Sequence, residues 1–181
     1  MIKTSEKIIY KTFVVFLFLA FSSMSILGQT KVDRNGNLIG YIEKSDFLQG
    51  KYKVWFEKNY TNYQPNEKVL KKLKKRFNNI TIKAFVGSWC HDSKRELPSF
   101  YKVMELAGFD LKNNFQIIGI TRGKKTPDNL QEGYTIEHTP TFIFYKDGKE
   151  IGRYVEHARE TIEKDILKIL SRKKYKHTYQ K

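Results

Sequence analysis

Apolar positions recur along the chain in two alternating periods, and their order predicts the elements. Val69, Leu70, Leu73 and Phe77 fall at helical spacing behind Asn66, a good N-cap residue, and Asn78-Asn79 closes the run. Residues 80–86 form a β-prone, mostly apolar stretch of the kind buried in the middle of a parallel sheet. Leu97, Phe100, Tyr101 and Met104 mark one face of the next helix; Pro98 should kink it and Gly108 should cap it. Residues 115–121 read as another strand, 122–127 as a polar loop and 128–133 as a short helix. Residues 141–145 and 149–155 read as strands joined through Asp147-Gly148, a strong hairpin signal. Ala158, Ile162, Ile166, Ile169 and Leu170 stripe a last helix, and 172–181 is a basic tail expected to fray.

From Asn66 onward the order is α, β, α, β, α, β, β, α. Such alternation with a closing hairpin implies helices packed on a mixed sheet within a single domain over 66–171. Residues 29–65 read as an N-terminal extension packing on that core. Asn35-Gly36 gives a tight-turn signal between two short arms. Tyr52, Val54, Trp55, Phe56, Tyr60 and Tyr63 form an aromatic-rich cluster expected to pack against the core rather than bind a ligand.

Residues 1–28 follow the pattern of a secretory signal. Lys3, Lys7 and Lys11 precede an apolar run over 13–21, and small residues lead to a cleavage point after Gly28. The run is short for a membrane span, which argues against an uncleaved anchor. The expectation is an exported chain, periplasmic or extracellular. The net charge of +15 favours weak contact with an anionic membrane surface. No nucleic-acid-binding motif accompanies the charge, so nucleic acid is not expected as a partner.

The chain has one cysteine, Cys90, so no disulfide can form within it. Cys90 falls where the strand over 80–86 turns into a helix. There, unpaired N–H groups and the helix dipole favour a thiolate, although a lone cysteine is also commonly buried and inert. An odd cysteine in an exported chain points to a reactive thiol or an intermolecular pairing.

Trp89-Cys90-x-x-Ser93 at the end of a strand, Pro98 eight residues past the cysteine, and Thr139-Pro140-Thr141 ahead of the hairpin together resemble the thioredoxin superfamily. The resemblance covers about residues 66–170. It implies a three-layer α/β/α sandwich with a central mixed β-sheet. It also implies that Cys90 is the attacking thiol, Trp89 its aromatic shield, and Pro140 a cis-proline. Thr139 would offer its backbone to an extended substrate segment.

Three departures qualify the resemblance. Ser93 replaces the family's resolving cysteine, the family's buried acid falls at Ala84, and its groove-side glycine falls at Glu156. His91 and Asp92 fill the variable positions. An imidazolium at His91 would favour the thiolate and Asp92 oppose it; equally, Asp92 caps the helix and His91 points to solvent. No metal site is expected from Cys90, His91 and Asp92, and no cofactor is implied.

The function expected is that of an exported monothiol thiol–disulfide oxidoreductase or isomerase, acting as a monomer. Cys90 would form mixed disulfides with exported proteins or low-molecular-weight thiols and disulfides, with Ser93 orienting the sulfur and an external thiol releasing it. The alternatives are a non-catalytic peptide-binding module of the same fold, or an oxidant sensor linking two chains through Cys90.

Overall fold

The computed structural model describes residues 31–180. The signal pattern over 1–28 lies outside the described residues.

A central strand, β3 (Ile80–Val86), organises the molecule. It runs parallel to β4 (Phe115–Gly119) and antiparallel to β5 (Thr141–Lys146), which turns through Asp147-Gly148 into β6 (Lys149–Val155). The sheet extends beyond β4 through β2 (Leu38–Ile42) and the two-residue β1 (Lys31–Val32), in the order β1-β2-β4-β3-β5-β6. The sheet is therefore mixed, with helices flanking it.

The larger core lies on one face. Ile80, Ile82, Ala84 and Val86 point into it, as the two-residue period of a strand requires. Against them pack α1 (Lys44–Phe47), α2 (Gly50–Asn62), α3 (Glu67–Leu73) and α4 (His91–Leu106), together with α6 (Ile162–Leu170). A one-turn helix, α5 (Leu111–Asn114), leads into β4. The ends follow local chemistry. Asn66 accepts from the Lys68 and Val69 N–H groups to start α3, and Thr161 accepts from Lys164 to start α6. Past α4, Phe109 N–H returns to Met104 O and Gly108 N–H to Glu105 O, the pairing of a Schellman stop.

Residues 31–65 do more than lie on the core. β2 inserts beside β4, with Gly40 opposite Gly119, and α2 packs along α4. Phe56 is fully buried and stacks between Phe47 and Tyr60, while Val54 is left exposed on the far side of α2. Tyr63 donates to Glu163 Oε2 at 2.6 Å and Asn66 N–H to its Oε1 at 3.1 Å, which ties the end of α2 and the start of α3 to α6.

The other face carries Phe85, Ile118, Ile120 and Ile143, covered by Leu130, Tyr134 and Ile136 from the 121–140 connection. The helix expected over 128–133 does not form; this stretch is a series of turns. Side chains capture the donors a helix would have used. Gln131 Oε1 accepts from Thr126 N–H at 2.9 Å, and Thr126 Oγ1 accepts from Leu130 N–H at 2.8 Å.

Gly119 fixes the β2–β4 contact, because a Cβ there would lie 2.4 Å from the Leu38 carbonyl oxygen. Gly119→Ala should therefore push β2 off the sheet and lower stability by about 1–3 kcal/mol, read as a lower urea midpoint. An unchanged midpoint would show that β2 can shift at no cost.

Candidate functional site

The turn from β3 into α4 places the sulfur. Cys90 is the N-cap residue of α4, with extended backbone (φ −84°, ψ 130°), and it is half-buried. Its N–H donates to Gly87 O at 2.8 Å and its carbonyl accepts from Lys94 N–H at 3.1 Å, so both sides of the turn are closed. The Sγ donates to the Thr139 carbonyl at 3.2 Å, and the Thr139–Pro140 peptide bond is cis. Residues 49 apart in sequence thus meet at one point on the surface.

Trp89 lies beside the sulfur. Its indole N–H donates to Ile120 O at 2.9 Å and its ring occupies the space beside Gly87, where a Cβ would approach to 2.6 Å. Any larger residue at 87 would displace the indole. Arg122, which the sequence reading did not single out, sits with its guanidinium 4.8 Å from the Trp89 ring centroid. Ser88 Oγ accepts from Leu38 N–H at 2.9 Å and so joins β2 to this loop.

Ser93 is 2% exposed and accepts from Gly87 N–H at 3.1 Å. That bond braces the turn, while the hydrogen bond of the Cys90 sulfur goes to Thr139. His91 points to solvent with 86% of its side chain exposed, 3.8 Å from Asp92. The Asp92 carboxylate meets Arg95 at 2.8 Å and leaves the capping position to Cys90. Glu156 has φ +64°, the left-handed region that favours glycine, and its N–H donates to Pro140 O at 2.7 Å. Its carboxylate lies 3.9 Å from His138 Nδ1, so the groove wall beside Pro140 is charged.

Ala84 is buried among apolar groups, but a buried acid exists on α4. Glu96 is 6% exposed, accepts from Arg95 Nε at 2.6 Å, and pairs with the Tyr154 hydroxyl. Burial alone would lower the Arg95 guanidinium; the Glu96 and Asp92 carboxylates outweigh it and hold it above its ordinary range. Burial, reinforced by Glu96, pushes the Tyr154 hydroxyl far up, so it stays a donor. An acidic residue in the first turns of an amphipathic helix gives no sequence signal that it will be buried.

The basic tail, expected to fray, returns to this region. Tyr175 is half-buried with its hydroxyl 3.3 Å from Asp165, and the Tyr179 ring stacks on His138 at 3.6 Å and 8°.

Comparison with known proteins matches this arrangement to one family. The family model described as Thioredoxin matches residues 42–174. The chain belongs to the thioredoxin family. Among solved structures, a protein of unknown function from Pseudomonas aeruginosa shares 14% identity over 72% of this chain and 92% of its own, with a TM-score of 0.56. The reduced thioredoxin pre-protein of Schistosoma mansoni shares 23% identity over 57% of this chain and 90% of its own, with a TM-score of 0.35. Mitochondrial thioredoxin 3 of Saccharomyces cerevisiae shares 21% over 54% and 86%, with a TM-score of 0.32. The Pseudomonas likeness is one of fold. No curated protein matches the chain.

Proposed function

We propose that this thioredoxin-family chain is an exported monothiol thiol–disulfide exchange protein. The observation that carries the reading is the sulfur of the half-buried Cys90, 3.2 Å from the carbonyl of a cis Thr139–Pro140 pair, in a chain with no second thiol. Cys90 is the N-cap residue of α4, the long helix that starts at the turn carrying the sulfur.

The chemistry is two exchanges. The Cys90 thiol gives its proton to solvent, and the thiolate attacks one sulfur of a disulfide. A bond forms between Cys90 and that sulfur, the substrate's S–S bond breaks, and the second substrate sulfur leaves as thiolate. An external thiol then attacks the substrate sulfur of the mixed disulfide and displaces Cys90 as thiolate. No electrons are gained or lost by the protein over the cycle. The Thr139 backbone would pair with an extended substrate segment, and the charged Glu156 side chain would narrow its choice.

Ser93 supports this cycle by bracing the turn. Its hydroxyl is held by the Gly87 N–H and cannot act as a sulfur nucleophile, so discharge depends on the external thiol. The partners proposed are exported proteins with labile disulfides and small thiols, met by a monomeric chain; weak contact with an anionic membrane surface would keep it near them. Among the described residues no helix is long and apolar enough to cross a membrane.

The test is intact-mass measurement after incubation with a model disulfide at neutral pH. A single adduct, absent from Cys90→Ala, is expected. A wild-type thiol that stays unmodified would overturn the reading. Partner capture that persists in Cys90→Ala would instead make the fold a peptide-binding module.

A further inference from the structure

A cavity of about 560 Å³ opens beside Trp89, next to the active-site loop. Three cations line it: Lys51 from α2, Lys94 from the first turns of α4, and Arg122 from the loop after β4. None of its lining residues is acidic. Lys51 and Lys94 lie far apart in sequence, and the insertion of the 31–65 segment beside the β3–α4 turn brings them to one place.

The surrounding acids are already engaged. Arg95 takes both carboxylates near the start of α4, Asp92 at 2.8 Å and Glu96 at 2.6 Å, which leaves Lys94 without an ion pair among the described residues. Asp33 turns into its own loop, where its carboxylate accepts from Asn35 N–H at 2.8 Å and Asn37 N–H at 2.9 Å. Lys51 meets the Asn35 carbonyl at 3.3 Å, and Arg122 meets the Trp89 ring face. Arg122 is held by a neutral ring, and Lys51 feels the nearby Asp33 carboxylate without forming an ion pair to it, so the cavity keeps its net positive charge.

We propose that this cavity binds the carboxylates of a small anionic thiol or disulfide and so selects the low-molecular-weight partner of Cys90. The inference rests on the exchange chemistry proposed above and names the substrate class for it. A cleft lined by one sign of charge concentrates the opposite sign, and a guanidinium held over an indole still has N–H groups with which to take a carboxylate through two parallel bonds. The volume suits a ligand of a few residues' size. Lys94 lies one turn beyond Cys90 on α4, so a ligand seated here has its anionic end beside the loop that carries the sulfur.

Three disulfides of different charge test the proposal on the full chain: dithiobis(nitrobenzoate), which carries two carboxylates; neutral hydroxyethyl disulfide; and cationic cystamine. For each probe the rate with the variants is compared with the wild-type rate, which removes differences in intrinsic reactivity. In the variant combining Lys51→Ala, Lys94→Ala and Arg122→Ala, the rate with dithiobis(nitrobenzoate) should fall by about tenfold, while that with hydroxyethyl disulfide holds and that with cystamine does not fall. A variant combining Lys71→Ala, Lys72→Ala and Lys75→Ala, on the exposed side of α3 and the turn that follows it, loses the same charge and should leave all three rates unchanged. Equal losses in both variants would mean that net charge acts alone, and would overturn the proposal.

A second measurement needs no chemistry at Cys90. Both tryptophans of the chain, Trp55 and Trp89, line the cavity. In Cys90→Ser, S-methylglutathione should change their fluorescence saturably, and the triple cavity variant should abolish the change. If S-methylglutathione binds but no disulfide reacts with the wild-type chain, the cavity stands and the exchange reading fails. If Cys90 reacts but fluorescence stays flat and cavity substitutions leave all rates unchanged, the exchange reading stands and the cavity proposal fails.

Discussion

Ser93→Cys should change the stoichiometry of the reaction with an aromatic disulfide. The wild-type chain should release one equivalent of aromatic thiol and hold the other as a stable adduct on Cys90. The variant should release two equivalents and end as an internal disulfide without an adduct. The new thiolate at position 93 would attack the Cys90 sulfur, forming a disulfide between the two positions and expelling the second aromatic thiolate. The position suits this, since residue 93 lies in the first turn of the helix that Cys90 caps and faces inward against the same turn. Weakening the buried 3.1 Å bond to Gly87 N–H should cost about 1–3 kcal/mol, which a domain of this size can bear, so the variant should fold. Absorbance of the released thiol and the final mass decide the matter. A persistent adduct in the variant would show that the serine is not what prevents self-discharge.

Phe100→Ala should have the largest effect on stability. Phe100 is fully buried on α4, stacked on Phe142 of β5 at 4.2 Å and 17°, with Phe115 at 5.4 Å and Phe144 at 6.3 Å. Removing the ring leaves a cavity between the helix that carries Cys90 and the strand that follows Pro140. Rings so enclosed cost about 3–5 kcal/mol when cut to alanine, a large share of a domain's total stability. The urea midpoint should fall sharply. Thiol reactivity in the folded fraction should change little, since the turn over Gly87–Cys90 is held by its own hydrogen bonds. A midpoint near wild type would mean that the neighbouring rings collapse to fill the space.

The parts legible in the sequence were those written in short periods or in local chemistry. Ile80–Val86, the Asp147-Gly148 hairpin, the capped start of α3 and the stripe of Ile162, Ile166 and Ile169 needed no partner to be read. The site was legible where a motif named it, at Trp89, Cys90 and Pro140. Helix α2 was not, although Tyr52, Trp55, Phe56, Tyr60 and Tyr63 recur at helical spacing on its core side with Val54 exposed; a cluster of mixed aromatics hides that period. Nor was the β2–β4 pairing, which turns on Gly40 facing Gly119, two residues with no side chains to set a pattern. The turns over 128–133 depended on Thr126 and Gln131 bonding across five residues, a competition that apolar spacing does not record. The cation cluster was hidden for a different reason. Lys51, Lys94 and Arg122 are three of 34 basic residues and become distinct only through what the fold puts beside them.

The bond from Leu38 to Ser88 bears on where this protein can be cut. A fragment trimmed to residues 42–174 would keep Cys90, Pro140 and every large helix, yet lose all of β2 but its last residue. It would leave β4 with an open edge, free the loop ahead of Trp89, and strip one wall from the cationic cavity by removing Asn35 and Asn37. Such a fragment should clump with its own kind through the bared strand, whereas one starting at Lys31 should stay dispersed.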